Sequence, residues 1–205
     1  MNTTGTEIET KFFVHDLQRV ETRLQELGAR LVQTRVHEQN LRFDLPDGPL
    51  RKSFRVLRLR QDEQAVLTYK GPGSAMDGIR AREEWEVVVS DFATMQKILE
   101  SLGYVLQYSY EKYRATYSID ESFVMLDEMP YGQFVEIEGT DKSGIFYLAD
   151  HLKLDKSTAI SESYQVLFER VQTSLRLTFR DLSFDNFANI NVPPSAMQIK
   201  FADGK

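Results

Sequence analysis

The chain of 205 residues has no cysteine, only three histidines and a single tryptophan. The absence of cysteine excludes disulfides and thiolate metal ligands, and leaves the redox compartment open. No apolar run approaches the roughly 20 residues that a helix needs to cross a bilayer. The first residues, MNTTGTEIET, lack the basic and apolar regions of a signal peptide. We therefore expect a cytoplasmic protein with no membrane contact.

An excess of positive charge is also missing. The formal net charge is -6, whereas general nucleic-acid binders are normally basic, so no nucleic-acid partner is expected. Hydrophobic residues make up 41% of the chain and charged residues 27%, which is typical of a soluble globular protein. The length suits one domain with a sizeable core.

Charged residues occupy every second position in several strand-like segments. In EIETKF the charged residues are Glu7, Glu9 and Lys11, and the positions beside them include Ile8 and Phe12. The same alternation recurs in RVLRLR, AREEWEVVV, YEKYRATY and FVEIEG. Because successive side chains of a strand point to opposite faces, each of these strands has one apolar face and one charged face.

The order of periodic segments predicts an α+β protein that is mainly β. Eight strands are expected at about 5–14, 30–44, 53–60, 64–70, 80–89, 104–119, 122–129 and 132–139. Helices are expected at about 16–27, 91–102, 143–152 and 161–177. LPDGP at 45–49 predicts a turn, and GPGSAMDG at 71–78 predicts a loop.

The character of the chain changes near Leu177. The following segment is rich in Asn, Asp and Phe, lacks a clear period and contains Pro193 and Pro194. We predict a domain at 1–176 and a C-terminal extension at 177–205 that either lies on the domain or is partly mobile. On this interpretation, deletion of residues 180–205 spares catalysis.

The charged faces can point to solvent or into the interior. A solvent face is the commonest cause of such alternation in an antiparallel sheet. In a closed barrel, however, helices can pack only on the outside, so the apolar faces point outward and the charges line the lumen. We therefore predict an eight-stranded antiparallel closed β-barrel, open as a tunnel, with helices packed outside.

The chemistry of this lumen combines two sets of seven charged groups. Clustered carboxylates without histidine or cysteine suit a hard cation such as Mg²⁺ or Mn²⁺, and arginines with lysines suit polyphosphate oxygens. Seven basic groups, seven carboxylates and two divalent cations sum to a charge of about +4. A triphosphate carries about four to five negative charges, which this sum nearly cancels. The acidic set is Glu7, Glu9, Glu84, Glu86, Asp127, Glu136 and Glu138. The basic set is Lys11, Arg58, Arg60, Lys70, Arg82, Lys112 and Arg114.

Six ordered motifs give the chain a resemblance to a known family. They are the ExExK motif at Glu7, Glu9 and Lys11, the paired arginines Arg58 and Arg60, the strings LTYKGP and AREEWEV, LDE with VEIEG, and a late SYxxL at Ser163, Tyr164 and Leu167. Over about residues 5–170 the chain resembles the CYTH superfamily, also called triphosphate tunnel metalloenzymes, and looks most like its class IV adenylate cyclases.

The resemblance implies a role for each charged set. The acidic set holds divalent metal, with two Mg²⁺ or Mn²⁺ ions, and the basic set binds the phosphates of a small-molecule triphosphate. Glu9, Lys11 and Arg58 are the expected catalytic residues. Arg42 and Asp44 lie in LRFD, where members of the family often have an aromatic residue before the aspartate, and the role of Arg42 stays open.

Three functions are compatible with these motifs. We favour a divalent-metal-dependent triphosphatase that hydrolyses inorganic or organic triphosphate. The first alternative is a class IV adenylate cyclase, which converts ATP to cyclic AMP and pyrophosphate. Cyclases of this kind usually carry a His–Phe pair before ExExK, and MNTTGT contains neither residue. The second alternative is a non-catalytic triphosphate-binding module, which does not need so many carboxylates.

Further expectations concern the aromatic residues and the histidines. Phe43, Tyr69 and Trp85 are the available candidates for stacking on a purine. Trp85 and Phe12, however, stand at apolar positions of their strands, and both are expected to pack between the barrel and a helix. The three histidines, His15, His37 and His151, fall outside the charged pattern and are expected at the surface or in packing. The oligomeric state stays open, with a homodimer as one alternative.

Overall fold

The computed structural model describes residues 5–204. Within this range the strands are β1 (Gly5–Val14), β2 (Arg30–Asp44), β3 (Val56–Gln61), β4 (Ala65–Lys70), β5 (Ser74–Met76), β6 (Ile79–Val89), β7 (Val105–Ile119), β8 (Ser122–Met129) and β9 (Gly132–Gly139). The α-helices of the same range are α1 (Leu17–Glu26), α2 (Pro49–Lys52), α3 (Phe92–Ser101), α4 (Lys142–His151), α5 (Tyr164–Leu175), α6 (Phe184–Phe187) and α7 (Pro194–Met197).

Eight of these strands form one closed antiparallel ring. The order is β1-β9-β8-β7-β2-β3-β4-β6, and β6 pairs back onto β1 from Gly5↔Glu84 to Glu9↔Arg80. The short strand β5 pairs only with the first residues of β6. The ring and its outer helices confirm the predicted fold class, and closure leaves few unpaired strand edges.

Helices α1 and α4 cover the outer face of β1, β8 and β9. Val20 and Leu24 of α1 and Ile145 and Leu148 of α4 are buried there in one apolar cluster. Asp16 caps α1, because its side chain accepts hydrogen bonds from the amides of the first turn. The apolar phase of the strands therefore points outward at this wall, as the alternation predicts.

Helix α3 covers a second outer wall, over β2 and β3. Leu99 of α3 packs with Phe43 and Leu59, which are buried on the outer side of the ring. Asp91 caps this helix through the amide of Thr94 at 2.7 Å. The apolar residues at helical spacing in α3 therefore pack against the apolar residues at strand spacing in β2 and β3.

A third apolar cluster is built from inward-phase residues at the ends of strands. Phe13 of β1 and Phe134 of β9 continue the inward phase, and both are buried against Leu167 and Phe168 of α5. Helix α5 therefore packs on the interior of the ring where β1 ends and β9 begins. This packing places the first residues of α5 beside the charged interior.

Residues 177–204 lie on the ring and pair with its strands. Leu182 lies beside Tyr110 of β7, and its amide donates to the Ser109 carbonyl at 2.9 Å. Ala202 donates to the Phe13 carbonyl at 2.7 Å. Of the two interpretations of this segment, the structure supports the one in which it lies on the domain. The boundary at 176/177 stays a prediction, and residues 1–4 and 205 fall outside the described range.

Some local expectations were wrong. The predicted turn at 45–49 is present and leads directly into α2, where Pro49 occupies the first turn, but the predicted loop 71–78 contains β5. Phe12 is fully buried under helices, as expected, whereas Trp85 is 49% exposed and stacks on Tyr69 with ring centroids 5.3 Å apart.

No helix within residues 5–204 has the length and apolar character needed to cross a membrane.

Candidate functional site

The interior of the ring contains a cavity of about 1240 Å³. Its walls are formed by the inward phase of the strands, because the closed ring directs every second side chain to the same space. Thirteen of the fourteen charged residues predicted for the lumen line this cavity, and the exception is Asp127. The alternation of the sequence therefore predicted which face is internal.

One wall carries glutamates from β1, β6 and β9 together with three cations. Lys70 Nζ lies 2.9 Å from Glu7 Oε2 and 2.6 Å from Glu84 Oε2, and Arg82 Nε lies 3.3 Å from Glu7 Oε2. Burial opposes ionisation of Glu7, but Lys70 and Arg82 outweigh it and lower the pKa of Glu7 below its ordinary value.

Lys11 links two glutamates of the same wall. Its Nζ lies 2.9 Å from Glu9 Oε1 and 3.0 Å from Glu136 Oε2. The three residues are at most 6% exposed, so burial penalises each charge and only the ion pairs offset that penalty. Glu136 also meets Arg114 at 3.1 Å, and its pKa is held well below the ordinary value because Lys11 and Arg114 outweigh burial.

Two glutamates of this wall have raised pKa values. Burial, together with a hydrogen bond to Glu7, raises the pKa of Glu84 to about 8. Burial also raises the pKa of Glu138 to about 7, with Glu7 and Glu136 adding repulsion. Within residues 5–204, Glu138 makes no ion pair or side-chain hydrogen bond at the distances that define the others. Extra positive charge at this wall would favour the ionised form of both groups.

The opposite wall, from β2, β3 and β7, is rich in arginine. Arg58 Nη2 lies 3.3 Å from Glu86 Oε1, and Arg60 Nε lies 3.3 Å from Asp62 Oδ2. Arg42 of β2 stands directly opposite Arg58 in the strand register and also lines the cavity. No ion pair of Arg42 occurs within the described part of the chain. Like charges at directly opposite positions are unfavourable, so a bound anion would stabilise this pair.

Asp127 lies behind the cavity wall, fully buried. Arg114 contacts both of its oxygens, with Nε–Oδ1 2.6 Å and Nη2–Oδ2 2.5 Å. Lys112 Nζ and the Tyr164 hydroxyl also reach Oδ2, at 3.1 and 2.7 Å. The carboxylate therefore holds two predicted phosphate-binding cations in place, and Tyr164 of the SYxxL motif joins α5 to that network.

Glu38 and Asn40 are buried residues of the site that the sequence analysis missed. Glu38 is 1% exposed and lies 3.6 Å from Lys112 and 3.9 Å from both Arg114 and Arg60. Burial opposes its ionisation, but Lys112, Arg114 and Arg60 lower the pKa of Glu38 to about 2. Their strand, RLVQTRVHEQNLRFD, is polar at both phases over much of its length, so its inward face could not be recognised by alternation.

Of the three aromatic candidates for stacking on a purine, Phe43 is among the residues lining the cavity, whereas Tyr69 and Trp85 are not. Phe43 is buried in the outer cluster under α3, and Tyr69 and Trp85 stack on each other at the outer face. Besides Phe43, the aromatic residues that line the cavity are Phe54, Tyr108, Tyr110, Phe123 and Tyr164. The sequence alone did not separate these from packing residues, because aromatic side chains occur at both strand phases.

The three histidines are away from the cavity, as expected. His15 stacks on Phe201, His37 Nε2 lies 2.7 Å from Glu111 Oε2, and His151 Nδ1 lies 2.9 Å from the Tyr147 carbonyl. None of them is among the residues lining the cavity. Their contacts are those of surface and packing residues.

The donor chemistry of the glutamate wall suits a hard divalent cation. Glu7, Glu9, Glu84 and Glu138 supply only carboxylate oxygens, and the two raised pKa values mark a place where positive charge is favourable. Within residues 5–204, no three carboxylate or histidine side chains converge in the arrangement of a preformed metal site. Lysine and arginine groups occupy most of the carboxylate oxygens, so a cation would have to replace some of these ion pairs.

The fold and the cavity together define a class of protein. In this class a closed ring of antiparallel strands surrounds a cavity lined by paired acidic and basic side chains. The sequence pattern described as the CYTH domain matches residues 5–162. Because this match spans more than half of the chain, the protein belongs to the CYTH domain family.

Known proteins agree with this placement. A candidate adenylate cyclase from Methanocaldococcus jannaschii is 30% identical over 135 residues, which are 64% of this chain and 75% of that protein. A candidate adenylate cyclase from Vibrio parahaemolyticus has a structure with a TM-score of 0.72 and 19% identity, covering 80% of this chain and 97% of that one.

A third relative carries a different activity. A candidate adenylyl cyclase from Hippeastrum, described as having a dominant triphosphatase activity, superposes with a TM-score of 0.57 and 20% identity, over 80% of this chain and 95% of that chain. At these identities the two solved structures show the common fold.

Proposed function

We propose that the protein binds a triphosphate in the cavity and hydrolyses its terminal phosphate with the help of Mg²⁺ or Mn²⁺. One observation carries this proposal: basic side chains from six strands and glutamates from three strands face each other across a single cavity. A polyphosphate needs several cationic donors around its oxygens, and arginine provides paired N–H groups that match them.

The two walls of the cavity have different roles in this proposal. Arg58, Arg60, Lys112 and Arg114 on β3 and β7 bind phosphate oxygens, with Lys11, Lys70 and Arg82 reaching across from the glutamate wall. Asp127 and Glu38 behind the wall keep Arg114 and Lys112 oriented, so little reorganisation is needed when the anion binds.

The glutamate wall would hold the cation, through Glu7, Glu9, Glu84 and Glu138. A bound divalent cation supplies Lewis-acid polarisation of a phosphoryl oxygen and lowers the pKa of a bound water. In the reaction, a water oxygen forms a bond to the terminal phosphorus, the bond from that phosphorus to its bridging oxygen breaks, and phosphate and the shortened phosphate chain leave, with a proton released to solvent. Arg58 and Lys11 neutralise the charge that develops on the leaving oxygen.

Adenylate cyclase activity is the second candidate, supported by the name of the archaeal relative. There the ribose 3′-hydroxyl attacks the α-phosphorus and pyrophosphate leaves. A binding module without catalysis is the third.

One assay separates these functions. Purified protein receives inorganic triphosphate or ATP with Mg²⁺ or Mn²⁺, and phosphate, pyrophosphate and cyclic AMP are measured. We expect phosphate and no cyclic AMP. Arg58→Ala should abolish the release, whereas the matched variant Arg19→Ala, at an exposed position on α1, should not. Cyclic AMP with equal pyrophosphate would establish the cyclase, and binding without products would establish the module.

A further inference from the structure

Phe54 occupies an unusual position at the edge of the cavity. It follows α2 and precedes β3, and it lines the cavity although its side chain is 78% exposed. Its backbone is left-handed, with φ 58°. The Arg55 amide donates to the Leu50 carbonyl at 2.8 Å, which makes Phe54 the residue just after the helix in a Schellman-type ending.

This position favours glycine, because a Cβ is strained in the left-handed region. Within residues 5–204, the other non-glycine residues with positive φ are all polar: Asp47, Asp77, Asp120, Lys153, Arg176 and Gln198. Phe54 alone combines that strain with a large apolar side chain, and its exposure means that burial in the free protein does not offset the cost. An exposed, strained aromatic ring beside a binding cavity is a feature that a ligand contact would explain.

The surroundings of Phe54 lead inward to the phosphate-binding wall. Val56 and Arg58 follow in the inward phase of β3, and Arg42 stands opposite Arg58. Arg55 also lines the cavity, with its Nε donating to Ser53 Oγ at 2.7 Å. The aromatic side chain of Phe54 therefore lies outside the part of the cavity where the cations are most closely grouped, and the residues of β3 connect the two. The cavity of about 1240 Å³ exceeds the range of about 300–1,000 Å³ that is usual for small-molecule sites.

We propose that Phe54 is the stacking platform for the planar heteroaromatic group of an organic triphosphate, as in a nucleoside triphosphate, whose phosphates lie against Arg58. This inference rests on the proposed function only in requiring that the cavity binds a triphosphate. Aromatic side chains stack on bases of any identity, because every base has a π-face. The site would therefore prefer organic over inorganic triphosphate without reading which base is present.

The test compares two ligands on the full chain in the presence of Mg²⁺. One is inorganic triphosphate, and the other is an ATP analogue whose bridging oxygens are replaced by methylene groups, so that it is not hydrolysed. Calorimetry gives the dissociation constant of each. We expect Phe54→Ala to weaken the analogue roughly 5- to 150-fold, the range measured for base–aromatic stacking, and to leave inorganic triphosphate within about twofold. Phe54→Trp should restore the analogue, and Phe54→Leu should not.

A matched control is Tyr147→Ala, which removes an exposed aromatic residue of α4 that does not line the cavity. Equal changes for both ligands in Phe54→Ala, or no change for either, would overturn the stacking role while leaving triphosphate binding intact. Failure of the wild type to bind either ligand would overturn this inference together with the proposed function. Selective loss of the analogue in a protein that hydrolyses nothing would support Phe54 and reject only the hydrolase.

Discussion

Arg114 and Asp127 form a two-point ion pair across neighbouring strands, with Nε–Oδ1 2.6 Å and Nη2–Oδ2 2.5 Å. Asp127 is fully buried, and Lys112 and Tyr164 occupy its remaining acceptor capacity. The resemblance to the family assigned this carboxylate to metal binding, whereas the geometry favours a positioning role. Its partners, rather than Asp127 itself, face the cavity.

Replacing Asp127 should therefore reduce stability and anion binding together. Asp127→Asn keeps the shape of the side chain but leaves Arg114 and Lys112 without their buried counter-charge. We expect the free energy of unfolding to fall by about 3–5 kcal/mol, measured by urea denaturation. The affinity for inorganic triphosphate should also fall, because the two cations lose their orientation.

Glu138→Gln is the matched comparison, since Glu138 has no ion pair within residues 5–204. It should leave stability nearly unchanged and raise the Mg²⁺ concentration needed for half-maximal activity. If Asp127→Asn instead shifts the Mg²⁺ requirement and leaves the unfolding free energy intact, Asp127 is a metal ligand after all.

Arg42 should bind anion at a cost to stability. Arg42→Ala removes a cation directly opposite Arg58, so we expect affinity for inorganic triphosphate to fall by about 1.5–3 kcal/mol. The same substitution relieves like-charge repulsion in the free protein, so the free energy of unfolding should stay level or rise. Calorimetry and urea denaturation measure the two effects. A loss of stability with unchanged affinity would place Arg42 outside the anion site.

The ionisation of Glu38 should appear in the acid limb of the stability profile. Its pKa is about 2 in the folded protein against an ordinary value of 4.5, so the unfolded chain binds more protons between these values. The stabilisation by ionised Glu38 is then fully present above about pH 4.5 and is lost as the pH falls toward 2.

Glu38→Gln isolates this contribution. The variant should be less stable than the wild type at pH 6, on the order of 2–4 kcal/mol, because Lys112, Arg114 and Arg60 lose a buried counter-charge. The difference should shrink between pH 4.5 and 2. A difference that stays constant down to pH 2 would show that Glu38 is not ionised in the folded protein.

The sequence alone leads us to expect that deleting residues 180–205 spares catalysis, whereas the burial of this segment predicts that the deletion unfolds the protein. The deleted segment contains Leu182, Phe187 and Met197, which are at most 5% exposed and each contribute roughly 1.5–3 kcal/mol by burial. It also carries the backbone pairing of Leu182 with β7. Near-ultraviolet circular dichroism and thermal unfolding of the truncated chain measure the effect.

Two point variants separate packing from chain length. Leu182→Ala and Met197→Ala in the full chain should each cost about 2–5 kcal/mol. A truncated chain that remains folded and active would show that these residues lie on the ring without supporting it.

The ring of strands was predictable because its signal is local. A strict alternation of charged and apolar residues, as in Glu7, Glu9 and Lys11, defines two faces without any knowledge of neighbours. Glu38 and Asn40 were missed because their strand has polar residues at both phases. Phe54 was missed because a single exposed aromatic residue in a short turn has no period.

The alternation of residue types was enough to show which side chains share a face, and hence the fold class and thirteen of the charged residues of the cavity. Only the folded chain shows the pairing within that set: Asp127 pairs with Arg114, Glu138 makes no ion pair within residues 5–204, and Arg42 stands opposite Arg58. These relations depend on register between strands distant in sequence. A shift by one residue reverses the face of every side chain, and a shift by two keeps the alternation but changes every partner.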